Sequence, residues 1–230
     1  MVFPSILVFA IIMVKIIELL FNISFADFGL IPLKFKGLIG IITAPFLHAD
    51  IKHLIGNCVP LFVLTAGLLY YYKDAAYRIF IFLFFLTGLM VWFMGRDYST
   101  HIGASGVVYA LITFHLTSAL IRRRKDLAAF SFVVVFLYGS FIWGFFPEFF
   151  PERNISWESH LSGAICGVIV AFFYKNDGPQ RIVHDWGEED DDENGEWNIV
   201  QNTEGEMDEL TDKTDEADKT DKTDEVDNVN

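Results

Sequence analysis

Six apolar stretches, each close to the length that crosses a bilayer, constrain this chain more than any other feature. They run roughly over 2–21, 54–72, 77–95, 105–121, 127–146 and 156–174, the last being the least hydrophobic. About 20 residues, rising ~1.5 Å each along a helix, span the hydrocarbon layer of a membrane. Packed as a soluble core, so many long segments with so little polar face would leave large lipid-like patches in water. The fold class expected is therefore all-α: a polytopic membrane protein with a bundle of six transmembrane helices and a disordered acidic C-terminal tail.

The formal charge of -13 does not belong to that bundle. Residues 176–230 hold 21 Asp and Glu against 4 Lys and Arg, a net of -17, which leaves residues 1–175 at +4. The acidity says nothing about a site in the first region, and nothing points to a nucleic-acid partner. Past 175 the chain loses hydrophobicity, passes an acidic block at 188–193 and ends in the degenerate repeat TDKTDEADKTDKTDEVD. Such a segment has too little apolar surface to offset the entropy of ordering it. Two domains are expected: 1–175, the helical bundle, and 176–230, a solvated tail.

The first apolar run lacks a basic leader and a small-residue cleavage site, so it reads as a retained helix. Lys15 and Glu18, one turn apart on it, read as a local ion pair facing other helices. The two cysteines, Cys58 and Cys166, fall inside apolar runs without metal-ligand spacing. No metal and no cofactor is expected. Six spans put both termini on one side, and that side carries Lys73, Arg78, the run Arg122, Arg123, Arg124, Lys125, and Lys175. The other side carries Lys34, Lys36, Lys52, Arg96 and Arg153. The basic excess places the termini in the cytoplasm; a plasma (inner) membrane is the expected location.

Polar side chains near a bilayer interior are costly, and three groups of them stand out. HADIKHLIGN brings His48, His53 and Asn57 to the start of the second span. GASG sets Gly103 and Gly106 around Ser105 at the start of the fourth, and ESHLSGAICG places His160 at the start of the sixth. His53 and Asn57, four apart, share a helix face, whereas His48 is off that face and reads either as holding the start of the helix or as an interfacial histidine. Spans two, four and six all begin on the outer side, so their first turns lie at one depth. Gly163 and Gly167 form a GxxxG face for close packing, and with Gly106 and Ala110 opposite, His160 can reach Ser105.

A serine hydroxyl needs a base, and a neutral imidazole is suited to that task. Ser105 is the candidate nucleophile and His160 the base. The backbone N–H of Ser105, His53 and Asn57 can stabilise the oxyanion formed when a carbonyl is attacked. Glu158, two residues from His160, should point elsewhere, which leaves a dyad.

With these motifs in this order, residues 1–175 resemble the rhomboid intramembrane serine proteases. The resemblance rests on HADIKHLIGN, GASGVVYAL and SHLSGAICG. It implies a six-helix bundle with a water-filled cavity opening outward, catalytic Ser105 and His160, oxyanion stabilisation by His53 and Asn57, and Tyr109 stacked beneath His160. Gly103, Gly106, Gly163 and Gly167 are the supporting residues. The first loop, 22–49, departs from many members in holding no Trp-Arg pair. Phe-rich span five, with Trp143, either resembles the family's lateral gate or is a simple lipid-facing aromatic surface. His101 either caps its loop or sits in the cavity, and His115, deep in span four, should be buried and neutral.

The expected activity is serine endopeptidase cleavage of transmembrane protein substrates within or beside their membrane helix. A rival is a catalytically silent relative that binds membrane helices without cutting them. A small transporter would need ionisable groups through the bundle's full depth, and these stop near one surface. The lipid bilayer and the substrate helices are the expected partners; the sequence does not set the oligomeric state.

Overall fold

The computed structural model describes residues 2–137 and 156–180, and among them the chain is all-helical apart from one isolated bridge between Leu30 and His101. The principal helices are α1 (Val2–Phe21), a short α2 (Gly40–Thr43), α3 (Ile51–Tyr72), α4 (Ala76–Met94), α5 (Ser105–Arg122), α6 (Lys125–Leu137) and α7 (Trp157–Phe173). Apart from α2, each falls on one of the six apolar stretches. On length and apolarity, α1, α3, α4 and α5 suffice to cross a membrane; α7, at 17 residues, is shorter. The rest of the fifth stretch, including Trp143, and the tail beyond Gln180 lie outside the described residues.

Local signals explain where the helices start and stop. Asp50 caps α3, its carboxylate accepting from the His53 amide at 2.8 Å and satisfying one of the helix's first free N–H groups. The helix therefore begins three residues ahead of the apolar stretch, and it ends where Lys73 turns left-handed at φ 42°. A single 3-10 turn, Lys73–Ala75, follows before α4, so the two helices pack as antiparallel neighbours. Arg123, also left-handed, closes α5.

α5 is the most deeply buried long helix, packed on α3, α4, α6 and above all α7. Leu64, Leu68, Ile79, Leu83, Leu111, Ile112 and Phe114 fill the interior, while Phe9, Leu20, Phe85, Phe136 and Phe173 stand exposed on the outside. A large apolar exterior around a close-packed apolar interior is what a bilayer solvates. Both cysteines are buried free thiols.

Two groups of charged residues take more structural roles than the sequence alone suggests. Lys15 does pair with Glu18, at 3.0 Å, but it also donates to the carbonyls of His48 and Ala49 at 2.8 and 3.1 Å, tying α1 to the start of α3. Arg122, counted above in the basic cluster, is buried. It donates to the carbonyls of Tyr174 and Asp177 and lies over the ring of Tyr72. Asp177 also meets Arg78 at 3.5 Å, so packing against the bundle continues past the boundary drawn at 175.

Candidate active site

The starts of α3 and α7 both pack against the start of α5. Ser105 is the first residue of α5 and is half-buried. Two residues ahead, Gly103 has φ of +108°, where an L side chain is strained, and its amide donates to the Ala44 carbonyl at 2.8 Å. A Cβ there would come within 2.7 Å of the His53 ring and 3.4 Å of Asn57 Nδ2. Glycine thus lets the His53 and Asn57 side chains close on the backbone just before Ser105. Asn57 is buried, and its Nδ2 has no hydrogen-bond partner among the described residues. No side chain caps the start of α5, so none competes there for its first amides.

The other wall comes from α7. The rings of Tyr109 and His160 lie parallel, 4.1 Å between centroids and 3° between planes. Tyr109 is one turn below Ser105 on the same face of α5, so the stack puts the imidazole on the serine's side of the helix. Gly106 packs on the Ser159 carbonyl, 3.2 Å from where its Cβ would be. Farther down, a Cβ on Gly163 would overlap the Gly106 carbonyl, and one on Gly167 would overlap Thr113 and the Ala110 carbonyl. Thr113 Oγ1 donates to the Ala164 carbonyl at 3.0 Å across the seam. His160 itself is 8% exposed.

The remaining polar residues lie around this cluster. His48 is buried with its ring edge-on to His53, centroids 5.0 Å apart. Glu158 is buried too and contacts Arg96. His115 is fully buried, its Nε2 3.2 Å from the Leu64 carbonyl, well down α5 from the cluster. His101 bridges the loop before α5 to the start of α7. Burial holds its imidazole below the ordinary value, Glu158 opposing and Arg96 adding to the shift. Sequence reasoning left His101 between two roles; the signal available was the pair Ser156 and Ser159, spaced to face one partner from the first turn of a helix. Among the described residues no group of three His, Cys, Asp or Glu side chains could hold a metal.

Such a bundle, with an apolar exterior and a polar cluster where three helices begin, defines an integral membrane protein with a site near one end of its helices. The chain belongs to the rhomboid family, whose Rhomboid domain matches residues 36–176. It is 36% identical over 163 residues to an uncharacterized protein of Mycobacterium tuberculosis, covering 66% of this chain and 65% of that one. An uncharacterized protein of Mycobacterium leprae is 34% identical over 180 residues, 74% of this chain and 68% of the relative. The mouse Rhomboid-related protein 2 is 25% identical over 134 residues, 55% of this chain and 44% of that protein. The chain thus spans slightly less than two thirds of the tuberculosis protein and under half of the mouse one.

Proposed function

We propose that this chain is an intramembrane serine endopeptidase acting on transmembrane protein substrates. Its six helices span the membrane, the termini lie in the cytoplasm, and the site opens to the outer side. Ser105 Oγ attacks a peptide carbonyl while His160 takes the hydroxyl proton. The Ser105 amide, His53 and Asn57 donate to the oxyanion of the tetrahedral intermediate. Collapse breaks the C–N bond, the leaving amine receives the proton from His160, and an acyl-enzyme remains on Ser105. Water, deprotonated by His160, then releases the new carboxyl terminus and restores the hydroxyl. A helical substrate must unwind locally to offer its carbonyl, which favours small or helix-breaking residues near the cut bond.

The observation that carries this reading is the parallel stack of His160 on Tyr109, one turn from Ser105 at the tip of the same helix. The unpartnered Nδ2 of Asn57, beside the Gly103 backbone, adds a buried donor awaiting an acceptor.

The test is cleavage of a transmembrane reporter by the full chain in proteoliposomes. The unmodified protein should cut it, and Ser105→Ala, with an unchanged melting profile, should not. Cleavage that survives Ser105→Ala would overturn the proposal. A folded unmodified protein that captures the reporter helix without cutting it would favour the silent helix-binding alternative.

A further inference from the structure

The α5–α7 seam is built from small groups: Gly106 and Ala110 on one side, Gly163 and Gly167 on the other. Such a seam sets how closely two helices approach, and the cross-seam hydrogen bond from Thr113 to the Ala164 carbonyl lies about two turns down α5 from Ser105. Ser105 and His160 both sit at the helix tips. Proton transfer between them depends on distance and angle at the tip, so a second device has to fix it.

His101 has the position for that. It is buried, four residues ahead of Ser105, and its backbone pairs in both directions with Leu30, at 2.8 and 3.0 Å. Its Nε2 lies 2.8 Å from Ser99 Oγ. Its Nδ1 meets Ser156 Oγ, at the cap of α7, and lies 3.3 Å from Ser159 Oγ, next to His160. The two α7 hydroxyls are themselves 2.6 Å apart.

Counting protons gives this network a direction. Ser99 has one hydroxyl proton and gives it to the Arg96 carbonyl at 2.6 Å, so it can only accept from His101. Nε2 therefore carries the ring proton, and Nδ1 of a neutral imidazole must accept. Ser156 supplies that donor and receives in turn from Ser159. A chain of single polarity then runs from Ser159 through Ser156, His101 and Ser99 to the Arg96 carbonyl. The charges beside it are Arg96, on the loop, and Glu158, on the first turn of α7, in contact with each other.

We infer that His101 is a positioning residue: neutral and protonated on Nε2, it locks the loop entering α5 to the first turn of α7 and so sets the approach of His160 to Ser105. The inference rests on the protease reading above. Its effect is on the geometry of the reacting pair, not on substrate contact.

The experiment compares unmodified protein, His101→Phe and His101→Gln, all full chain in detergent. The readouts are reporter kcat and KM per titrated site, labelling rate with a small fluorophosphonate, and melting temperature. His101→Phe keeps a ring but no hydrogen bonds. It should lower kcat roughly 10- to 100-fold at unchanged KM and slow labelling by the same factor. His101→Gln, which retains a donor and an acceptor, should recover much of both. A lower melting temperature with kcat and labelling per site unchanged would mean His101 only supports the fold and would overturn the inference. If His101→Phe does not fold, Ser156→Ala removes one hydroxyl from the chain with the same expectation, and unchanged kcat there overturns it equally. Absence of cleavage and labelling in the unmodified protein would sink the protease reading itself and this inference with it; activity untouched by these substitutions would sink this inference alone.

Discussion

His48 lies buried against the ring of His53, with Lys15 donating to its backbone carbonyl. Burial first, and then the neighbouring His53, push its imidazole down to about 4. An unfolded histidine takes its proton near the ordinary value of 6.5, whereas the folded one resists until about 4. Between those values the unfolded chain binds more protons, so the stability present above pH 6.5 is lost progressively as pH falls toward 4. Thermal unfolding in detergent from pH 7.5 to pH 4 should show this loss, and His48→Gln should flatten it. An equal slope in both proteins would exclude His48 as its source. That His48 stands off the His53–Asn57 face follows from helical spacing, but its burial does not. Burial depends on Lys15 reaching the carbonyls of His48 and Ala49 from a separate helix, a contact with no trace in local sequence.

At the scale of elements, the seam between α5 and α7 is the contact on which the site depends. The GxxxG spacing of Gly163 and Gly167 reads directly from the sequence, because small residues one turn apart let backbones touch. The atoms opposite Gly163 are backbone, the Gly106 carbonyl and the Ala110 amide, and cannot rotate aside. Gly163→Ala should therefore lower stability by about 1–3 kcal/mol and reduce cleavage further by parting the helix tips. Gly56→Ala, on α3 with nothing within 4 Å of its Cβ position, should leave the melting temperature unchanged or raise it slightly, alanine being the better helix former. Equal melting temperatures for the two variants would mean the seam is looser than this. Helix positions were legible from apolar length alone, since in lipid a buried backbone has little alternative to helix. The role of Arg122 was not, because a basic run at a helix end reads as surface charge. Only the fold brings the Tyr174 and Asp177 carbonyls and the Tyr72 ring around its guanidinium.

Taken whole, the molecule joins distant parts of its chain at one end of a bundle. Spacing within each motif was readable: His53 with Asn57, Ser105 with Tyr109, Gly163 with Gly167. Joining the motifs required topology: if the six apolar stretches alternate across the bilayer, the second, fourth and sixth begin on one side, and α3 and α7 do pack against the start of α5. The His101 network was largely unreadable, since its members come from the Leu30 segment, the Ser99 loop and the Ser156 cap, and only the spacing of Ser156 and Ser159 links any of them. In the proposed mechanism these helix starts make one hydroxyl a nucleophile with an imidazole as its base. The most direct measurement exposes the full chain in detergent to a fluorophosphonate and maps the adduct by mass spectrometry. A single adduct on Ser105 is expected, lost in a folded His160→Ala variant. No adduct on Ser105, or one that forms at the same rate without His160, would contradict that mechanism.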